Sequence, residues 1–365
     1  MTTVKLKITA KELDKTKLKK PPVPGQKLLF GKEFSDRMFI MRHTPAKGWH
    51  EAEIRQYDNL SLSPAALVLH YAPEVFEGLK AYRQPDGGVA MFRPKDNFLR
   101  MNTSAERVCL PVLDIDDALA ALTELVRLEQ KWVPSDNGAS LYIRPTMIGV
   151  DPYIGLKEPE DVWFYIIMSP VGAYYAHGFE PVSIMVEDKY VRAVRGGLGA
   201  AKTGANYSAS VLAGRLAKKK GFDQVLWLDG VEQKYVEEVG SMNIFFVYGE
   251  NKIVTSALNG SILPGITRNS VLQLAKHWGV DTAEDRLDVE QVLADITSGK
   301  ITEVFGSGTA AVISPVGALY RDGKEYIVGG NKTKAGALTQ KLYDNLTGIQ
   351  YGRIPDPFGW MVKVV

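Results

Sequence analysis

Val162 to Phe179 is the longest stretch of the chain without a charged residue. It approaches the roughly 20 apolar residues that a helix needs to cross a bilayer, so it decides between a membrane protein and a globular one. Ser169-Pro170 and Gly172 interrupt it, and its first half, Val162-Trp-Phe-Tyr-Ile-Ile167, is aromatic and β-branched. Such residues suit a buried strand, and Ser-Pro then leads into a turn. The stretch is expected to be a central strand. No apolar run of the kind that opens a secretion signal occurs at the N-terminus, which points to a soluble, cytoplasmic protein with no membrane partner.

The 365 residues, 45% of them hydrophobic, suffice for two domains with substantial cores. Lys plus Arg number 44 against 42 Asp plus Glu, a balance that gives no electrostatic case for a nucleic-acid partner. Seven lysines fall in the first twenty residues, and residues 1–25 read as a mobile, solvated arm. A single cysteine, Cys109, excludes an internal disulfide, and the five histidines form no H-x-x-x-H pair, so no metal is expected.

Strands are expected at Gly88–Phe92 after Pro85-Asp-Gly-Gly, at Leu141–Arg144 after Asp136-Asn-Gly, and at Asp161–Met168. Ala118, Leu119, Leu122, Leu125, Val126 and Trp132 recur at helical spacing within Asp116–Lys131. Beyond residue 175 strands (Pro181–Val186, Val225–Leu228, Asn243–Val247) alternate with helices (Arg268–Trp278, Asp288–Thr297, Thr333–Leu346). The fold class is mixed α/β (α+β) in two domains, 1–175 and 176–365, the second and larger one carrying Lys202.

Lys202 lies among small residues, in Arg195-Gly-Gly-Leu-Gly-Ala-Ala-Lys-Thr-Gly-Ala-Asn-Tyr207, ahead of a helix over Ser208–Lys218. Small neighbours allow something bulky, such as a flat cofactor ring, to approach the amine; a solvated surface loop is the plain alternative. Gly196–Thr203 nearly fits a phosphate loop, but Ala201 stands where the last glycine belongs. Asp229, at the end of a hydrophobic strand, would then hold a metal, although Asp-Gly is more often a turn.

A second cluster follows: Glu238-Val-Gly-Ser-Met-Asn-Ile-Phe245, Ile253-Val-Thr255 and Leu263-Pro-Gly-Ile-Thr-Arg268. A carboxylate here can hold a proton on an aromatic ring nitrogen. The amides that open a helix after Pro264-Gly265 suit a phosphate. This run resembles the signature of the class IV, fold-type IV aminotransferases, which use pyridoxal 5'-phosphate. Within them the chain is most similar to the branched-chain amino acid aminotransferases. Phe30-Gly-Lys-Glu-Phe-Ser-Asp36, Val75-Phe-Glu-Gly-Leu-Lys-Ala-Tyr82, Leu141-Tyr-Ile-Arg-Pro-Thr146, Lys202–Tyr207, Gln224–Leu228 and Phe305–Ala310 extend the likeness over most of the chain.

The resemblance implies a site at the domain interface, with roles for particular residues. Lys202 would form the internal Schiff base, Glu238 would pair with the pyridine nitrogen and Tyr207 with the phenolic oxygen. Arg100, otherwise an ordinary surface helix charge, would clamp the phosphate with the Ile266 and Thr267 amides, and Thr309 would join the cofactor's neighbours. The amides of Thr309 and Ala310 would take the substrate carboxylate. Phe30, Phe76, Tyr142 and Tyr174 would line an apolar pocket, with Ser241 beside them and Tyr71 reaching in from the second subunit of a homodimer. Arg144 would receive the distal carboxylate of glutamate. The implied reaction moves the amino group of L-leucine, L-isoleucine or L-valine to 2-oxoglutarate in two half-reactions, giving branched 2-oxo acids and L-glutamate.

Ala310-Ala-Val-Ile-Ser314 lacks the C-x-x-C pair of some relatives, so no thiol switch is expected there. D-amino acid aminotransferases and aminodeoxychorismate lyases share the cofactor apparatus, but are shorter and lack the Phe-Gly-Lys and Phe-Glu-Gly-Leu-Lys-Ala segments in this form. A nucleotide-binding protein with an imperfect phosphate loop, or a silent binding protein on the same fold, are the competing classes.

Overall fold

The computed structural model describes residues 6–172 and 179–365. It divides into two compact units: Met1–Tyr174 with Ala201–Gly204 and Ile349–Val365, and Tyr175–Ala200 with Ala205–Gly348. The first unit opens with β1 (Thr9–Ala10), β2 (Arg37–Thr44), β3 (Gly48–Gln56), α1 (Leu67–Tyr71), β4 (Glu74–Phe76), β5 (Leu79–Arg83) and β6 (Val89–Phe92). Then come α2 (Pro94–Arg107), α3 (Ile115–Leu128), β7 (Ser140–Gly149) and β8 (Val162–Val171). These strands and Met361–Lys363 make one nine-stranded sheet, ordered β1-β3-β2-β8-β7-β5-β6 and then Met361–Lys363, with β4 also on β7.

The uncharged stretch is indeed a central strand, β8, paired on both sides. Side chains alternate along a strand, so Val162, Phe164, Ile166 and Met168 enter the core, while Trp163, Tyr165 and Ile167 face the other way. On β7 the same alternation buries Leu141, Ile143 and Met147 and puts Tyr142 and Arg144 on the opposite face. The core side is closed by α2 and α3, which contribute Phe98, Met101, Ala105, Ala121, Leu122 and Leu125. Asp114 starts α3 by accepting from the Asp116 and Asp117 amides.

β7 runs past the expected end at Arg144, straight through Pro145. A strand residue's N–H and C=O point the same way, and the Pro145 carbonyl accepts from the Glu77 amide at 2.8 Å. The missing N–H therefore falls where the neighbour of β7 changes from β5 to β4, and no bond to β8 is lost.

The second unit holds β9 (Val182–Glu187), α4 (Gly204–Lys219), β10 (Gln224–Leu228), β11 (Val236–Val239), β12 (Met242–Tyr248) and β13 (Lys252–Ser256). It continues with α5 (Ile266–His277), β14 (Asp281–Asp285), α6 (Val289–Thr297), β15 (Ile301–Gly308), β16 (Val312–Arg321), β17 (Lys324–Ile327) and α7 (Ala337–Gln350). Its strands run β11-β10-β9-β16-β15-β12, and a β11–β12 pairing closes the ring; β13 and β14 continue beyond β12. Parallel pairs (β9 with β10 and β16) and antiparallel ones coexist, as in the mixed α/β class expected.

Three features differ from the sequence reading. Residues 6–26 are not a free arm: β1 pairs with β3, the Lys19 ammonium donates to the Phe34 and Ser35 carbonyls, and the Gly25 amide donates to Asp136. Charge count alone hid these partners, which lie well away along the chain. Lys202 groups with the first unit, because its N–H donates to Ser104 Oγ (2.9 Å) and its carbonyl accepts from the Phe76 amide (3.0 Å). The chain's end also returns to that unit, where β18 (Met361–Lys363) pairs with β6. Among the described residues no helix is long and apolar enough to cross a membrane.

Candidate active site

In the first unit the expected residues gather on β4, β7 and α2. Phe76 lies on the sheet face opposite the core, with the Lys202 Nζ 4.9 Å and the Arg144 guanidinium 4.7 Å from its ring centroid. Arg144 Nη2 donates to the Tyr142 hydroxyl at 3.0 Å, and Phe30 meets the Tyr142 ring edge-on, with centroids 4.8 Å apart. The result is an aromatic wall bearing an amine and a guanidinium, the latter tethered by a phenol. Gly78 leaves the room, since a side chain there would overlap the Tyr142 hydroxyl. Glu74 shares this strand; burial pushes its carboxyl up, and Arg144 partly offsets the rise.

Arg100 is not a surface charge. It is 9% exposed, and its Nε and Nη2 donate to the two oxygens of the fully buried Glu77 at 2.8 and 2.9 Å. Ser104, the acceptor for the Lys202 amide, lies one turn further along α2 on the same face.

In the second unit Glu238 sits within β11, 3% exposed, rather than as a strand-end charge. Its Oε1 accepts from the Leu263 amide at 2.8 Å and lies 3.3 Å from the Arg192 guanidinium, which is itself held on the Gly199 and Ser261 carbonyls. Asn243 donates to the Leu263 carbonyl at 2.9 Å. The peptide units at Leu263 are thus bound through both N–H and C=O, which fixes the Pro264-Gly265 turn that starts α5. Gly265 has no side chain with which to cap Ile266 and Thr267, and adding one would overlap the Asn243 carboxamide. The amides at the start of a helix are of the chemical kind that suits an anion.

Tyr207 is half-buried on α4, while Thr309 and Ala310 form the turn between β15 and β16. Met242 packs on Gly306 and Gly308 below that turn, and Val312 closes it at φ 62°, strained for a β-branched residue. Ser241 is exposed in the turn before β12. Tyr71 is 45% exposed and donates to the Ile154 carbonyl. Tyr174 lies outside the described residues. Asp229 accepts from the amides of Val231, Glu232, Lys234 and Tyr235, so its carboxylate organises a turn, against the metal-holding role of a phosphate-loop protein.

Glu77, Ser104, Arg192 and Asn243 were not anticipated. Only Glu77, a charge between Val75-Phe76 and Gly78-Leu79, stands out along the chain; the others act through partners far away in sequence.

Residues 74–319 match the family model for amino-transferase class IV. Branched-chain-amino-acid transaminase 1 of Bacillus subtilis (strain 168) is 50% identical over 354 residues, 97% of this chain and 99% of that protein. The branched-chain amino acid aminotransferase of Escherichia coli superposes with a TM-score of 0.75 at 28% identity, covering 90% of this chain and 99% of the other. A T.th. branched-chain amino acid aminotransferase, complexed with N-(5'-phosphopyridoxyl)-L-glutamate, gives 0.72 at 27% identity, covering 90% and 98%. With the buried Glu238 tied to the turn before α5 and likeness along nearly the whole chain, the protein belongs to the class IV aminotransferase family.

Proposed function

We propose that this aminotransferase moves the amino group of L-leucine, L-isoleucine or L-valine to 2-oxoglutarate, reversibly and by a ping-pong scheme, with pyridoxal phosphate as cofactor. The residues fit that cofactor: a buried carboxylate held by donors at Glu238, a helix start at Ile266-Thr267 whose cap residue has no side chain, and a guanidinium at Arg100. When bound, pyridoxal phosphate supplies an electron sink for the pair left when the substrate Cα–H bond breaks.

Around it the chain's own groups take distinct tasks. Lys202 Nζ carries the proton to and from Cα, while its main chain is held at both N–H and C=O. Glu238 holds the proton on the ring nitrogen, Tyr207 donates to the ring oxygen, and Arg100 with the Ile266 and Thr267 amides, Thr309 nearby, orients the phosphate. The Thr309 and Ala310 amides bind the substrate carboxylate.

The observation that carries the substrate assignment is the Phe76 ring, with Lys202 and Arg144 4.9 and 4.7 Å from its centre. Phe30, Phe76 and Tyr142 offer an apolar wall to a branched side chain, and Arg144 offers a donor to the distal carboxylate of glutamate; the family resemblance adds Tyr174 and Ser241 to the residues that meet the substrate. The substrate-derived ligand of the T.th. enzyme is of this chemistry. Tyr71 belongs to the partner's pocket in a homodimer; exposed Leu69, Tyr71, Ile154 and Leu156 support a surface covered by a second copy. The cytoplasm suits a chain whose only cysteine, Cys109, is free.

The test is an absorption spectrum of the loaded enzyme before and after L-leucine, with no keto acid present. A visible cofactor band that leucine moves to shorter wavelength, and that Lys202→Ala no longer turns over, is the expected result. A band indifferent to leucine but responsive to D-alanine would assign the D-amino acid branch instead.

A further inference from the structure

We infer that Glu77 is a positioning residue that orients Arg100 for the cofactor phosphate, an inference that rests on the reading of Arg100 given above. Alternation along Val75, Glu77 and Leu79 turns the Glu77 side chain to the core side of the sheet, where α2 packs. Its backbone is fixed there: the Glu77 amide donates to the Pro145 carbonyl (2.8 Å), and the Gly78 amide donates to Glu77 Oε2 (3.1 Å). Both carboxylate oxygens face one guanidinium, through Nε and Nη2. This planar, two-point contact fixes the plane and heading of the Arg100 guanidinium. Glu129, also fully buried beside an arginine, differs: it takes one Arg37 nitrogen and shares its other oxygen with the Asp36 and Arg37 amides.

Two physical effects oppose each other at this pair. The charge of Glu77 weakens the pull of Arg100 on a phosphate dianion, so removing it by Glu77→Gln should tighten phosphate binding if charge alone mattered. Orientation acts the other way, because an amide cannot accept from both nitrogens and the guanidinium plane is released. Orientation dominates for a donor set that must match phosphate geometry, as a charged two-point contact is worth about tenfold or more in affinity.

The experiment titrates full-length apoenzyme with pyridoxal phosphate and, separately, with inorganic phosphate, for the parent, Glu77→Gln, Glu77→Asp and Arg100→Gln. Melting temperatures and phosphorus NMR of the bound cofactor accompany each titration. Glu77→Gln and Glu77→Asp are expected to weaken both ligands about tenfold and to shift the phosphorus resonance. Asp tests this without loss of charge, and stands alone if Gln does not fold. A merely structural Glu77 would lower the melting temperature and leave the phosphate affinity unchanged, overturning the inference; so would tighter binding by Glu77→Gln. If Arg100→Gln itself leaves both affinities intact, the reading of Arg100 falls first. If only Arg100→Gln weakens them, Glu77 alone is misassigned.

Discussion

The two units hold their candidate residues with different materials. In the first, Phe76, Glu77, Arg100, Ser104, Tyr142, Arg144 and Lys202 come from four separate segments and are held mainly by side chains. In the second, Glu238, Asn243, Leu263, Gly265 and the start of α5 lie within 31 residues of chain and are held largely by main-chain amides and carbonyls. A group made of side chains fails when atoms are removed. One made of backbone fails when atoms are added.

The sharpest way to break that contrast is Gly265→Ala. The new methyl would overlap the Asn243 oxygen, and Asn243 is buried and bonded to Leu263, so the turn must move. Overpacking of about 1–3 kcal/mol corresponds to a loss of up to about 100-fold in cofactor affinity. Gly265→Ala combined with Asn243→Ala should recover part of it. Equal affinity for Gly265→Ala and the parent would show that the turn is not a rigid cradle. In the first unit the matching change is a truncation, Arg144→Met. It should lower kcat/KM for 2-oxoglutarate about 10- to 100-fold, the value of a charged hydrogen bond, with little change for leucine. Equal losses for both substrates would instead make Arg144 a support for the aromatic wall.

The same contrast explains what could be read along the chain. Glu238 to Arg268 is one continuous run, so its residue types and spacing carry the chemistry in plain view. Central strand β8 was legible for a similar reason, because its composition is local. Arg100 looked like a helix surface charge because its partner, Glu77, is 23 residues away along the chain. The lysine-rich start looked mobile because the carbonyls that receive Lys19 belong to residues 34 and 35. In each case the missing information was a long-range partner.

Ser104→Ala tests whether the side-chain character of the first group extends to the Lys202 main chain. Without the hydroxyl the part-buried Lys202 amide loses its acceptor, and the main chain that carries the amine loses one of its two anchors. Misplacement of the amine proposed above to carry the proton should lower kcat about tenfold, with KM for leucine within about twofold. Ser104→Thr, which restores a hydroxyl, should recover most of kcat. Loss of kcat and KM together, with no rescue, would mean a general packing defect instead.

Lys80 sharpens the comparison most gently, through stability. It pairs with Tyr142 across β5 and β7, which puts it on the same face as Arg144 and Phe76, yet it is 7% exposed and burial lowers its pKa to about 8. The unfolded chain holds this proton up to about 10.4, so unfolding takes up a proton between those pH values. Stability should therefore rise with pH across the window from about 8 to 10.4, and the buried ammonium should cost stability below it. Lys80→Met removes the titration, so urea unfolding is expected to show a variant more stable at pH 7, by of order 1–3 kcal/mol, with the advantage shrinking toward pH 10. If the variant also loses kcat/KM for leucine, this face of the first unit keeps a costly cation for function. Parallel pH profiles for the two proteins would show instead that Lys80 stays charged in the fold, its burial compensated in full by its surroundings.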